Sequence, residues 1–423
     1  MKKVLFIIQS YPSNKSANVL CDEKIMNVMR DSGMWEIHTL SYKYHNQPLN
    51  EVVNGYSVHR FNRGWWWNFY TYARDNQDKT WGRFVYKFNR ILIRIQQILS
   101  IPVYPNDEPW LAKQYAQEAI RLHTEERFDL IVAEHHGRDC IYAGGCIKDI
   151  DSKVKTVALL WDPMSGRTLA GYLPKDYAQR KNDEDESKLL KRFDLIFMMN
   201  SYKNYQEKFS VAKEFYSRVK YLDIPGIVKP VESGMTQSYT IPGKINILYS
   251  GILTVPDRDP SKIIQILASS KYANKFNLMF FSFGNGTEIA KNLLEQYGLD
   301  GFVHGYIPKC ELDAVIRDSD FLLNIGGPNP QMVPSKIFEY MSSGKPILST
   351  YYNDNETSLR YFEKYPLSIC VDTRNDINSE LNKLDNLICN VVGKSVPFEE
   401  MSAVFPDNCP SAYVDAISNL MEL

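Results

Sequence analysis

The densest chemistry in the sequence lies in "VPSKIFEYMSSGKPILST", residues 333–350. Pro334 suits the first position of a helix, because its φ is preset and it lacks an amide hydrogen that would go unbonded there. The amides that follow, including those of Ser335 and Lys336, can then hold an anion, helped by the helix dipole and the lysine charge. Glu339 falls four residues past Ser335, on the same helical face. A carboxylate there can accept two hydrogen bonds from a vicinal diol such as a ribose. Gly344 ends the helix, and "KPILST" (345–350) is the next buried strand. An anion site and a diol site about one turn apart describe a pocket for a nucleoside diphosphate.

Two loops in the first half also carry reactive side chains. "VAEHHGRDC" places His135 and His136 just past a buried strand, and "LLWDPMSG" does the same for Asp162. Either histidine could instead cap or pack, and Asp162 could cap a helix after Pro163.

Short apolar runs position these residues. They are "VLFII" (4–8), "FDLIVA" (128–133), "TVALL" (156–160) and "DLIFMM" (194–199) in the first half. In the second half they are "INILYSG" (245–251), "NLMFFSFG" (277–284), "DFLLNIG" (320–326), "KPILST" (345–350) and "LSICV" (367–371). Continuous apolar strands alternating with helical stretches predict parallel βαβ units in sheets covered on both faces. A chain of 423 residues suits two such domains rather than one core. The proline-rich, aperiodic stretch 223–244 reads as the linker between a first domain, 1–222, and a second, 245–405. A last helical segment within 406–423 is expected to pack back on the first domain. The predicted fold is α/β, two doubly wound Rossmann-like domains facing each other across a cleft, with ligands beyond the carboxyl ends of the strands.

Composition narrows the partners. The chain is 44% hydrophobic and 23% charged with a formal net charge of −1, which offers nothing to nucleic acid. Its 27 tyrosines outnumber 20 phenylalanines, a bias that suits polar, sugar-like ligands. The opening "MKKVLFIIQSYPS" has only five consecutive apolar residues and reads as a strand rather than a signal peptide. No apolar run approaches the roughly 18 residues of a membrane span. Seven cysteines without CxxC spacing predict reduced thiols and a cytoplasmic protein, and seven scattered histidines carry no metal signature.

The segment at 333–350 resembles the donor site of two-domain GT-B glycosyltransferases, the retaining sugar-nucleotide enzymes called family 4 or group 1. "ILYSGILTVPDRDPSKIIQIL" (247–267) is similar to the strand, glycine turn and arginine that open the family's donor domain. The resemblance implies that Gly251 lets a pyrophosphate approach the backbone and that Arg258 pairs with it. "FFSFGNGTEI" and "FVHGYIPKCELDAVIRDSDFLLNIG" resemble the next two segments, which implies a base near Tyr306 and Ile307. It further implies a UDP- or GDP-sugar donor, a glycan acceptor and no cofactor. In such members the leaving phosphate takes the acceptor's proton, and polar residues at points matching His135, His136 and Asp162 face the sugar or acceptor. The family places a second glutamate seven residues before the ribose-binding one, where this chain has Met332. "GGPNPQMVPSK" supplies glycines, Asn329 and Gln331 instead. "DRD" (257–259) matches the metal motif of a different glycosyltransferase fold but reads here as loop or capping residues beside Arg258, so a metal-independent enzyme is expected. The expected function is transfer to a glycan, such as a lipid-linked bacterial precursor of capsule, O-antigen or exopolysaccharide. The rivals are a non-catalytic nucleotide-sugar-binding subunit and a UDP-sugar 2-epimerase-like enzyme, the latter disfavoured by Met332 where an acid is needed.

Residues 60–110 form an insertion. "RFNRGWWWNFYTYAR" precedes an amphipathic run in which Trp81, Phe84, Val85, Phe88, Ile91, Leu92, Ile95, Ile98 and Leu99 share one face, flanked by Arg83, Lys87, Arg90 and Arg94. Two readings fit: a helix packed on the sheet with its cations in solvent, or a surface that meets a membrane through residues 60–99.

Overall fold

The structure is a computed structural model and describes residues 1–11, 17–44, 47–106, 108–165, 173–209, 213–230, 239–328 and 333–422. The chain divides into two compact units, Met1–Pro225 with Pro410–Leu423, and Gly226–Cys409.

The first unit is built on an eight-stranded sheet. Its strands are β1 (Lys2–Ile7), β2 (Trp35–Tyr42), β3 (Asn50–Val53), β4 (Tyr56–Phe61), β5 (Leu130–Glu134), β6 (Lys155–Leu160), β7 (Leu195–Met199) and β8 (Val219–Leu222), in the order β3-β4-β2-β1-β5-β6-β7-β8. All neighbours are parallel except β3 and β4, an antiparallel hairpin at the edge. Each central strand is apolar on both sides because each side meets its own core. Leu5, Ile7, Ile131, Ala133, Ala158 and Leu160 pack into one layer, and Val4, Phe6, Leu130, Val132, Val157 and Leu159 into the other. That is the period-2 alternation of a strand covered twice. The final helix, Pro410–Glu422, joins the second layer through Tyr413, Val414 and Ile417, and the Tyr413 hydroxyl donates to the Asp223 carbonyl at 2.7 Å.

The second unit holds a six-stranded sheet: β9 (Ile245–Ile252), β10 (Phe276–Phe283), β11 (Gly301–His304), β12 (Phe321–Ile325), β13 (Ile347–Tyr351) and β14 (Ser368–Asp372), in the order β11-β10-β9-β12-β13-β14. Every pairing is parallel. In each sheet the strand order reverses beside the first strand, at β1/β5 and at β9/β12. A crevice opens beyond the carboxyl ends of the strands at such a reversal, which is where an open α/β sheet takes its ligand.

All nine apolar runs read from the sequence contain strands. Five strands lay outside them: β2, β3, β4, β8 and β11. The 60–110 insertion is a helical hairpin, Trp65–Asp75 followed by Thr80–Leu99.

Candidate functional site

At the carboxyl end of β9, Gly251 adopts φ 151°, a conformation that disfavours any residue with a Cβ. A Cβ built there would lie 3.9 Å from a guanidinium nitrogen of Arg258, so the arginine returns to the strand end from which its loop departs. Two neighbouring loops brace that return. The Leu253 amide donates to the Phe283 carbonyl at 2.9 Å, and the Val255 amide to the Asn285 side chain at 2.9 Å. A Cβ at Gly327 would come within 2.1 Å of the Asp257 carbonyl oxygen, so the loop after β12 presses directly on the arginine loop. Asp259 accepts from the Ser261 amide at 2.9 Å, a contact that closes the turn into the next helix, Ser261–Ser269. Among the described residues no group of three or more His, Cys, Asp or Glu side chains is placed to hold a metal ion.

The helix expected after Pro334 spans Lys336–Ser342, two turns, with Ser335 before it and the Ile337 amide bonded to the Pro334 carbonyl at 3.1 Å. Pro334 therefore stands just outside the helix rather than at its first position. Tyr340 fastens this helix to β9: its hydroxyl accepts from the Ser250 amide at 3.1 Å and lies 3.0 Å from the Ser250 hydroxyl, one residue from Gly251. The neighbouring Glu339 carboxylate pairs with two lysines, Lys336 at 3.1 Å and Lys309. Burial alone would raise its pKa, but the two ammoniums outweigh burial and hold it at about 2. Glu339 is therefore an anion throughout the physiological range.

Lys309 went unremarked in the sequence. It begins the helix Lys309–Asp318 and also pairs with Asp313, one turn on. Its distance from Glu339 in the chain hides the pairing. Of the residues expected beside a base, Tyr306 is 69% exposed whereas the Ile307 side chain is buried. Gln331, with Asn329 and Met332, lies outside the described residues. One more carboxylate borders the strand ends. Glu356 is buried, accepts from the Tyr352 amide at 3.1 Å and the Ser358 hydroxyl at 3.0 Å, and would touch a Cβ placed on Gly326. Burial raises its pKa.

In the first unit the two histidines after β5 separate. His135 is buried; its amide donates to the Leu159 carbonyl at 2.8 Å and its Nδ1 donates to the Asp162 carbonyl at 3.1 Å. The Asp162 side chain itself is exposed. His136 is partly exposed, with Nδ1 4.0 Å from a carboxylate oxygen of Glu134.

Glu134 is fully buried, beside the Asn18 side chain and the Gln9 amide. Asp22, equally buried, accepts from the Trp161 indole at 2.9 Å through one oxygen, and the other has no hydrogen-bond partner among the described residues. Burial pushes Glu134 up to about 7, against a smaller opposing pull from the nearby Asn18 side chain and Gln9 amide. Burial, then the charge of Glu134, pushes Asp22 well above the usual carboxylate range. Two carboxyls in so dry a place retain a proton between them near neutrality. Nothing in the sequence marked this pair, since a glutamate ending a strand ordinarily faces water.

No protein-family model matches the chain, and no curated protein matches it. Solved structures do. The sucrose-phosphate synthase of Thermosynechococcus elongatus superposes with a TM-score of 0.56 at 11% identity, over 100% of this chain and 98% of that one. An α,α-trehalose-phosphate synthase (UDP-forming) from Burkholderia vietnamiensis gives 0.58 at 11% identity, over 100% and 99%. Anabaena HepE, in complex with UDP and glucose, gives 0.52 at 15% identity, over 99% and 100%. At such identities the likeness speaks for architecture: the chain has the α/β, GT-B type of fold, with two doubly wound Rossmann-like domains.

Proposed function

We propose that the protein is a glycosyltransferase that moves a sugar from a UDP- or GDP-sugar to a glycan acceptor. The observation that carries this reading is Glu339, held ionised between Lys336 and Lys309 on a helix fastened beside Gly251 and Arg258. A carboxylate fixed as an anion at a strand-end crevice is a ready acceptor for two ribose hydroxyls. Arg258 and Lys336 supply positive charge for the diphosphate, and stabilise it further as it departs. Ser335, Pro334, Gln331, Tyr306 and Ile307 complete the donor side, with the backbone at 306–307 meeting the base. That one similar structure holds UDP and glucose, and another is named UDP-forming, supports a nucleotide-sugar donor.

In the step itself the bond from the anomeric carbon to the diphosphate breaks, and a bond to the acceptor oxygen forms. The acceptor's proton passes to the departing phosphate, a retaining course that needs neither protein nucleophile nor metal. His136, partly exposed at a strand end, contacts sugar or acceptor hydroxyls, and Asp162 lines the same edge. His135 supports them from below through the Asp162 carbonyl. Glu134 acts through His136 as a positioning residue: drawn onto Nδ1, it would leave Nε2 to face the substrate. The acceptor we favour is a lipid-linked bacterial polysaccharide precursor, met at the inner face of the plasma membrane.

Calorimetric titration with UDP and with GDP, each with and without EDTA, tests the donor reading. Saturable binding of one nucleotide, insensitive to EDTA, supports it. Binding of neither overturns it.

A further inference from the structure

The helix Thr80–Leu99 is built inside out. The residues it buries are Gly82, Val85 and Asn89, while Trp81, Phe84, Phe88, Ile91, Ile95 and Ile98 are each exposed by 48 to 63%. The small buried set is used to hold the hairpin together. A Cβ on Gly82 would meet the Asn76 carbonyl oxygen at 1.9 Å, and the Tyr70 and Tyr86 rings stack with centroids 5.9 Å apart. The hairpin is in turn fixed to its domain, with the Arg63 guanidinium 3.8 Å from the Trp67 ring and paired with Glu108. A helix held firmly by one face thus presents its large apolar side chains on another. So continuous an exposed apolar surface marks a binding face.

Charge selects the occupant. The twenty residues of this helix contain no Asp or Glu and carry Arg83, Lys87, Arg90 and Arg94. A second copy of the chain, laid along the stripe, would bring two sets of four cations together with no acid on either helix to answer them. A lipid surface rich in anionic headgroups answers them all. Breadth points the same way. Leu92 and Leu99 widen the exposed stripe beyond the narrow seam a coiled-coil partner needs, and Trp65 on the first helix is 83% exposed. No helix among the described residues is long and apolar enough to cross a membrane, so this one would lie in the interface rather than span it.

We propose that the helix Thr80–Leu99 docks the protein flat on an anionic lipid surface. The Trp81-to-Ile98 stripe enters the boundary between headgroups and acyl chains, and Arg83, Lys87, Arg90 and Arg94 pair with headgroup phosphates. This inference rests on the helix alone and stands whether or not the protein transfers sugar. Where both hold, the surface delivers the enzyme to a lipid-linked acceptor.

Vesicle flotation tests it, with phosphatidylcholine alone and with phosphatidylglycerol added, across a salt series. The full chain is compared with Phe84→Ser/Ile91→Ser and with Arg90→Gln/Arg94→Gln. These side chains stand outside the proposed donor and acceptor sites, so circular dichroism and nucleotide binding should match wild type. The expected result is binding to the phosphatidylglycerol vesicles that weakens with salt, and roughly tenfold to thirtyfold weaker partitioning for each double variant. Absence of binding at low salt, equal binding to pure phosphatidylcholine, or equal binding by the Phe84→Ser/Ile91→Ser protein overturns the proposal. So does a dimer in sedimentation that this variant abolishes while vesicles stay unbound, which would assign the face to a second copy.

Discussion

Glu339 and Glu134 stand at corresponding places, each near the carboxyl-terminal edge of a wound parallel sheet, and their surroundings drive them apart. Glu339 is partly exposed and lies between two lysines, so it is held ionised at about 2. Glu134 is wholly buried, has an acid for a neighbour rather than a base, and is pushed up to about 7. One fold edge thus carries a fixed anion in one domain and a proton store in the other. The lesson is that the edge provides only a place. The side chains that pack against it from other segments set its chemistry.

The comparison can be broken most visibly by separating the roles of the two histidines. On the proposed reading, His136→Gln should lower kcat/KM about tenfold to a hundredfold while leaving nucleotide affinity unchanged, because a contact to sugar or acceptor is lost. His135→Gln should act mainly on stability, since that ring is buried against the Asp162 carbonyl. Steady-state kinetics beside thermal unfolding separate the two. Equal effects on both readouts would remove the assignment of His136.

Next in size are opposite pH dependences of stability. Glu134 has its folded pKa raised from an ordinary 4.5 to about 7, so the stability linked to its proton is present below pH 4.5 and is lost as pH rises through 7. The groups that face it are Asp22 and Cys21 on the helix Ala17–Asp31, Cys140, His136 on its own loop and Asp162 after β6. Glu134→Gln should therefore stabilise the protein at pH 8 by on the order of 1–3 kcal/mol, with the gain shrinking toward pH 5. Denaturant unfolding at the two pH values reads this directly. A loss of stability at pH 8 would mean that the bonds from Asn18 and Gln9 outweigh the cost of burying the charge.

Glu339 has the reverse sign. Its folded pKa is depressed from 4.5 to about 2, so its contribution is full above pH 4.5 and is lost as pH falls through 2. Lys309→Met should shrink that contribution. Because Lys309 is well exposed, the cost at neutral pH should be only about 0.5–1 kcal/mol. An acid titration of stability for both proteins checks it, and parallel curves would show the pairing to be idle.

Much of the fold was readable because buried parallel strands leave continuous apolar runs. β2 escaped because it buries polar residues: His38, Thr39 and Ser41 are all inside, with His38 Nδ1 3.0 Å from His59 Nε2. The β3–β4 hairpin did leave a signal, the Asn54–Gly55 pair at φ 54° and 83°, a two-residue turn of the kind that asparagine and glycine favour. Glu339 was legible from local spacing, since its helix and its Lys336 partner are neighbours in sequence. Lys309 and the Asp22–Glu134 pair were not, because each pairing joins segments that only the sheet topology brings together. For the 60–110 insertion, periodicity foretold an apolar helical face but not whether the domain covers it. The structure leaves that face open.

The most direct measurement is the affinity of the bound nucleoside diphosphate for wild type and for Glu339→Gln, by calorimetry at pH 7. The substitution keeps the shape of the side chain and removes the charge that Lys336 and Lys309 maintain. With the ribose on Glu339, affinity should fall roughly tenfold to a hundredfold, the share of one or two hydrogen bonds to a charged group. An unchanged affinity would contradict the donor site, because the ionised carboxylate within "KIFEYM" would then be serving its lysines alone.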